Sequence, residues 1–221
     1  MSTVKSKNVN LKECLIICNG RIYKKDLKLT GMYLKPRRAT KIIACDGASD
    51  FLKTAGITPD VIIGDMDSAK PSTLNYFSKK KVLIRQIKDQ NKNDLEKAFL
   101  YAISKNIQIV HLIGLTGKRL DHTLNNISIL LKFHNKIKFI LYEDGFTGYL
   151  VTKQYSSVCK PGTIVSLIPL PEANGVKTTG LKYPLRNEKL ALGKREGALN
   201  VTTGNSFSVT LRKGMLLVLL K

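Results

Sequence analysis

From residue 14 to about residue 145, short apolar runs alternate with helix-patterned stretches, and then the alternation stops. This change of pattern constrains the fold more than any other feature of the chain. The runs 14–18, 41–45, 61–63, 82–87, 108–113 and 137–142 are brief, rich in β-branched residues and bounded by turn formers or charge, as buried strands are. Between two of them, Leu95, Ala98, Phe99, Ala102 and Ile103 recur at helical spacing. Asn93 and Glu96 stand at capping-box distance, so the spacing predicts a helix starting at Asn93 with Asp94 in its first turn. A second helix is predicted from near Asp121, with Leu124, Ile127, Leu130 and Leu131 facing inward. Strands alternating with helices imply right-handed crossovers and a sheet covered on both faces.

The reading is therefore an α/β domain over 1–147, with a mostly parallel, Rossmann-like sheet. Beyond it no amphipathic helix is expected. Segments 149–153, 163–168, 176–182, 206–211 and 215–220 are rich in Val, Thr, Ile and Leu and separated by Gly, Pro and Asn. Lys213-Gly214 reads as a turn. These features predict a small antiparallel β-sandwich over 148–221.

Composition excludes several classes. The hydrophobic fraction of 43% suits a folded globular chain, and no apolar run approaches the roughly 18 residues of a membrane helix. The early lysines have no long apolar stretch behind them, so no secretory signal is read there. Cys14, Cys18, Cys45 and Cys159 form neither a disulfide framework nor a zinc set, which favours reduced thiols and the cytoplasm. The net charge of +21 has two readings, a polyanion-binding face or a solvated lysine-rich surface. Arginine occurs only eight times, the lysines are scattered, and no aromatic-interleaved RNA motif is present, so nucleic acid is not the expected partner.

Polar residues of the first domain gather where strands end and helices begin, the edge at which open parallel sheets bind ligands. Asp46-Gly47 follows one run and Asp65-Met66-Asp67-Ser68 another. In an extended backbone, Asp65 and Asp67 project to one side with Cα atoms about 6.6–6.8 Å apart, a spacing able to hold hydrated Mg²⁺. Asp89 to Asp94 and Gly114 to His122 occupy two further strand–helix junctions. Gly114 and Gly117 open backbone N–H groups to phosphate, and Lys118 and Arg119 add positive charge. The loop is neither a Walker A sequence nor a dinucleotide fingerprint. Several carboxylates crowded on one rim call for a cation, and the basic loop suits that cation's anionic partner. Metal-assisted phosphoryl chemistry on a nucleotide follows.

The stretches DGASDFLKTAGITPDVIIGDMDS (46–68), DQNKNDLEKAF (89–99), GLTGKRLDHTLNNISIL (114–130) and GVKTTGLKYPL (175–185) resemble the thiamine pyrophosphokinase (thiamin diphosphokinase) family. The resemblance implies transfer of pyrophosphate from the co-substrate ATP to thiamine with Mg²⁺, giving thiamine diphosphate and AMP. It implies a homodimer with thiamine sites between subunits. By motif, Asp65, Asp67 and Asp94 would organise the metal, and with Arg119 form the catalytic set. Asp46, Gly47, Gln90, Asn93, Thr116, Gly117, Arg119 and Asp121 would hold nucleotide. Gly197, Leu199 and Asn200 would stand at the thiamine. The chain departs from the family at Ala48-Ser49-Asp50, where many members carry Gly-Ala-Asn, at Lys118 in place of a common Gly, and at Leu199 in place of Ser, and it has no Trp. Two other readings are weighed. A phosphatase of the haloacid-dehalogenase type would use Asp65 and Asp67, but Ala69 fills the slot where Thr or Val is needed. A nucleic-acid module would rest on charge alone.

Overall fold

The computed structural model describes residues 12–31 and 41–221. The early lysines, Arg37 and Arg38 therefore lie outside the described residues. The chain runs β1 (Glu13–Ile17), α1 (Lys24–Leu29), β2 (Lys41–Cys45), α2 (Ala48–Thr54), β3 (Val61–Gly64), α3 (Pro71–Lys79), β4 (Leu83–Gln86), α4 (Asp94–Ser104), β5 (Ile109–Ile113), α5 (Leu120–Phe133) and β6 (Lys138–Glu143). Seven strands follow: β7 (Phe146–Val151), β8 (Gln154–Val158), β9 (Ile164–Thr179), β10 (Arg186–Ala191), β11 (Gly197–Val201), β12 (Ser206–Thr210) and β13 (Lys213–Leu220).

The first six strands are parallel in the order β4-β3-β2-β1-β5-β6. The chain winds outward from β1 to β4 and then returns to the other side of β1. The connections leaving β1 and β5 consequently run to opposite sides of the sheet, and the crevice above these strand ends is where such sheets take ligands. Alternate residues of each strand serve opposite cores. Cys14, Ile16 and Cys18 face a cluster with Leu95, Ala98 and Phe99 of α4 and Ile129, Leu130 and Phe133 of α5. Leu15 and Ile17 face the other, with Leu52 of α2 and Phe77 of α3. Burial on both faces explains the near-continuous apolar runs in the sequence.

From β6 onward the pairing is antiparallel. β7 pairs with both β6 and β13, so the hydrogen-bonded sheet continues into the C-terminal part without a break. The segments expected at 163–168 and 176–182 belong to one 16-residue strand, β9, which pairs with β10, β11, β12 and β13. Its prolines look like a break in the sequence. Pro171 instead falls in a bulge, where Gly214 pairs with Ala173 and Leu216 with Pro169, a position that needs no ladder N–H. Lys213 and Gly214, expected as a turn, already belong to β13.

The helix at Asn93 forms as its cap predicts: Asn93 Oδ1 accepts from Glu96 N at 2.9 Å. The return half of the box is absent, because the Glu96 carboxylate bonds Lys132 Nζ at 2.6 Å instead. The inward face of α5 differs from expectation. Leu124 is 59% exposed, and Asn126, Ile129, Leu130 and Phe133 are the buried residues. Of the expected inward residues, Leu130 is buried and Ile127 and Leu131 are half-buried; the face is rotated toward Asn126, whose Nδ2 donates to Leu115 O at 2.8 Å. The four cysteines are free, three of them buried. Among the described residues, no helix is long and apolar enough to cross a membrane.

Candidate functional site

Strand ends and helix starts from six elements, β1, β2, β3, α4, β5 and α5, enclose a cavity of about 610 Å³ at the carboxyl edge of the parallel sheet. Its walls include Asp65, Asp67, Gln90, Asn93, Asp94, Thr116 and Arg119, residues separated by more than 50 positions in the chain.

Asp46, next to the cavity-lining Cys45, is fully buried and is not itself part of the wall. Its Oδ2 accepts from Ser68 N and its Oδ1 from Ala69 N, both at 3.0 Å, so it shapes the loop that carries Asp65 and Asp67. Burial raises its pKa even though the two N–H groups favour the charged form. Gly64 makes this crowding feasible. A Cβ there would lie 2.4 Å from Asp46 Cβ and 3.0 Å from Asp94 Oδ1. Each of Asp46, Asp65 and Asp67 offers a carboxylate oxygen within 4.8 Å of the other two. Oxygen donors at that spacing, one buried, one half-buried and one exposed, suit a hard divalent ion that keeps part of its water. The converging trio thus contains Asp46 in the place that motif transfer gives to Asp94.

Asp94 is instead tied to the trio through a lysine. Lys97, 2% exposed, sets its Nζ 3.4 Å from Asp94 Oδ1 and 3.7 Å from Asp65 Oδ2. Burial lifts the Asp94 pKa to about 6, against the opposing pull of Lys97 and with reinforcement from the charges of Asp46 and Asp65. Sequence reading passed over Lys97 because it is one lysine among many on a helix. Its signal was position: it is one turn beyond Asp94 and beside the inward Ala98 and Phe99.

The remaining residues divide by how much of each side chain stays available. Gln90 Nε2 reaches Asp65 Oδ2 at 3.5 Å. Asn93 is fully engaged in structure, its Oδ1 on Glu96 N and its Nδ2 on Asn126 Oδ1 at 3.1 Å. Gly47 immediately precedes α2. Thr116 donates its hydroxyl to Glu143 Oε2 at 2.9 Å, and its carbonyl accepts from Arg21 N at 2.6 Å. Arg119, at the exposed rim beyond Gly117, makes a bidentate pair with Asp121, Nε to Oδ1 at 3.1 Å and Nη2 to Oδ2 at 2.5 Å. That pairing holds the Asp121 carboxyl down at about 2. His122 follows in the first turn of α5, while His111 is buried against Tyr142, Nδ1 to Oη at 2.9 Å. Cys18, Asn19 and Gly20 also line the cavity. They had no motif of their own, and only their place after the first strand could have flagged them.

Gly197, Leu199 and Asn200 do not line this cavity. They sit on β11 in the antiparallel part. Asn200 is buried, taking Tyr183 N and Val201 N on Oδ1 at 3.1 and 2.9 Å and giving Nδ2 to Tyr183 O at 2.7 Å. Leu199 beside it is 70% exposed and Tyr183 is 62% exposed.

Comparison with known proteins adds to this geometry. The family model "Thiamin pyrophosphokinase, catalytic domain" matches residues 35–141, and "Thiamin pyrophosphokinase, vitamin B1 binding domain" matches residues 151–216. Thiamine pyrophosphokinase 1 of Oryza sativa subsp. japonica is 30% identical over 167 residues, 69% of this chain and 62% of the rice protein. The chain thus spans under two thirds of that relative's length. Thiamine pyrophosphokinase of Bacillus subtilis (strain 168) is 27% identical over 182 residues, 80% of this chain and 85% of the bacterial one. The crystal structure of the Bacillus subtilis thiamine pyrophosphokinase superposes with a TM-score of 0.82 at 27% identity, covering 95% of this chain and 99% of the other. Yeast thiamin pyrophosphokinase, at 19% identity, shares the fold with a TM-score of 0.80 over 97% of this chain and 87% of its own.

Proposed function

The chain belongs to the thiamine pyrophosphokinase family, and from that premise we propose that it transfers the pyrophosphoryl group of ATP to the hydroxyethyl oxygen of thiamine, releasing AMP. One observation supports this reading above the rest. The carboxylates of Asp65 and Asp67 line the same cavity as Thr116, Lys118 and Arg119 of the basic loop, and the buried Asp46 carboxylate lies within reach of both. A triphosphate needs both, a place for its countercation and backbone and cationic groups for its oxygens.

In this reading the parallel, Rossmann-like part, residues 1–147, holds the nucleotide, and residues 148–221 receive the acceptor. Asp65 and Asp67 would hold Mg²⁺, with Asp46 available as a third oxygen donor and Asp94 nearby. The bound ion would neutralise phosphate charge and lower the barrier to attack. Lys97 restrains Asp65 and Asp94 from below, which fixes the acidic rim while the nucleotide binds. Asp94, with its pKa at about 6, is mostly ionised at neutral pH and takes the proton of the attacking hydroxyl. Gln90 orients a phosphate oxygen. Arg119 swings from Asp121 to the α-phosphate as AMP leaves. Gly197, Leu199 and Asn200, away from the cavity of their own chain, meet thiamine at the interface of a cytoplasmic homodimer, where the exposed Leu199 and Tyr183 supply apolar contact.

The test is coupled detection of AMP from purified protein, ATP, Mg²⁺ and thiamine. AMP release that requires thiamine supports the reading. AMP release that ignores thiamine, or phosphate release in its place, removes it and returns attention to a phosphatase.

A further inference from the structure

The proposed reaction makes no use of Glu143, at the end of β6, yet its carboxylate organises the loop on which nucleotide binding rests. One oxygen accepts the Leu115 backbone N–H, and the other accepts the Thr116 hydroxyl at 2.9 Å. Leu115 is held at its other end as well, its carbonyl taking Asn126 Nδ2 at 2.8 Å. Asn126 in turn accepts from Asn93, the cap of the helix that bears Asp94. The glycine-rich loop is thus tied to the acidic rim through its first residue, and Glu143 supplies the anchoring acceptor on the opposite side.

The surroundings of Glu143 do not favour a fixed charge. Among the described residues, no cation forms an ion pair with it. From α1, the fully buried Asp26 faces it as a second carboxylate, itself taking Gly145 N at 2.8 Å and Asp144 N at 3.3 Å. The nearby lysines are engaged elsewhere. Lys25 pairs with Asp144, Lys221 Nζ lies 4.0 Å from Asp144 Oδ2, and Lys118 on the loop donates to Asn19 Oδ1 at 2.8 Å. Arg119 pairs with Asp121. Burial, opposed by the Leu115 N–H and the Thr116 hydroxyl and reinforced by Asp26, lifts the Glu143 pKa to about 7.

We infer that Glu143 is a positioning residue for the nucleotide: its ionised carboxylate holds Leu115 and Thr116 so that Thr116–Arg119 meets the phosphates, and its protonation in mild acid loosens that loop. This rests on the nucleotide reading of the loop. A proton taken from solvent turns one acceptor oxygen into a donating hydroxyl, so Glu143 can no longer accept from the Leu115 N–H and the Thr116 hydroxyl at once.

The test is calorimetric titration of the full chain with α,β-methylene ATP, a nucleotide that cannot be split at the bond in question, in Mg²⁺ buffer at pH 8 and pH 6. A midpoint near 7 leaves roughly nine tenths of the carboxyl ionised at the higher pH and one tenth at the lower. Wild type is expected to lose about tenfold more affinity across that range than Glu143→Gln, which binds weakly at both pH values. Thr116→Val, keeping the carboxylate and one donor, should bind a few-fold more weakly and retain the wild-type slope. Glu143→Gln with wild-type affinity and wild-type slope overturns the inference. Should Glu143→Gln fail to fold, the Leu115 amide proton of the wild type decides by NMR. A chemical shift that titrates between pH 6 and 8 supports the inference, and one that stays still overturns it. Wild type that binds no nucleotide at pH 8 defeats the proposed function instead, and the Leu115 amide still answers for Glu143.

Discussion

The Lys97 ammonium stands 3.4 Å from Asp94 Oδ1 on a side chain that is only 2% exposed. A buried lysine survives only when anions compensate it, and here Asp94 and Asp65 do so from the cavity side. Removing it leaves those anions with less compensation. Lys97→Met should therefore destabilise the metal-free protein by about 3 kcal/mol at pH 8. At pH 5 the penalty should shrink, because Asp94, with its pKa at about 6, is then mostly protonated and needs no partner. Chemical denaturation at the two pH values measures the difference. An equal penalty at both would show that the pair carries no charge coupling.

Asp94 also makes stability depend on pH in its own right. Its folded pKa of about 6 exceeds the ordinary 3.8, so the folded state binds the proton more tightly than the unfolded chain. The resulting stabilisation is complete below about pH 4 and disappears as pH rises through about 6, an effect of about 3 kcal/mol. Asp94→Asn should abolish that part of the slope in metal-free buffer. A variant whose melting temperature follows pH as wild type does would contradict the assignment.

The convergence of Asp46, Asp65 and Asp67 predicts that the charge of Asp65 is needed for turnover far more than for folding, because the nearer Asp94 still compensates Lys97. Asp65 is half-buried at the cavity wall, and asparagine preserves its shape. Asp65→Asn should lower kcat/KM by about 10²–10³ while the far-ultraviolet spectrum and melting temperature stay near wild type. Loss of activity accompanied by loss of the melting transition would assign Asp65 to structure.

Gly20 sits where the loops after β1 and β5 touch. A Cβ there would lie 2.2 Å from Thr116 O and 2.3 Å from Gly114 O, both of them backbone atoms that cannot rotate aside. Gly20→Ala should cost about 3 kcal/mol, near the upper end for overpacking, and weaken nucleotide binding by moving the Thr116 loop. A fully stable variant with unchanged nucleotide affinity would show that the two loops slide freely.

The parallel strands were legible because burial on both faces forces continuous apolar runs, and the cap at Asn93 was legible because capping is local chemistry. The four polar junctions were legible for the same reason, and Asp65, Asp67, Asp94 and Arg119 do share one cavity. What escaped was set by tertiary neighbours. Lys97, Asn126 and Glu143 are ordinary residues by type, and only the packing of α4 against α5 and of β6 beside β5 turns them toward the site. The inward face of α5 is legible at Leu130 and not at the exposed Leu124, because the contact that rotates the helix is that of the polar Asn126. β9 reads as two segments because proline looks like an interruption unless the bulge opposite Met215 is known.

Phosphorus NMR of one reaction mixture containing the protein, ATP, Mg²⁺ and thiamine tests the central claim most directly, because it follows which phosphorus atoms move. The account predicts that ATP signals fall while an AMP singlet and the paired signals of thiamine diphosphate rise together, one of each per ATP. Growth of ADP and inorganic phosphate, with no diphosphate ester of thiamine, would contradict it.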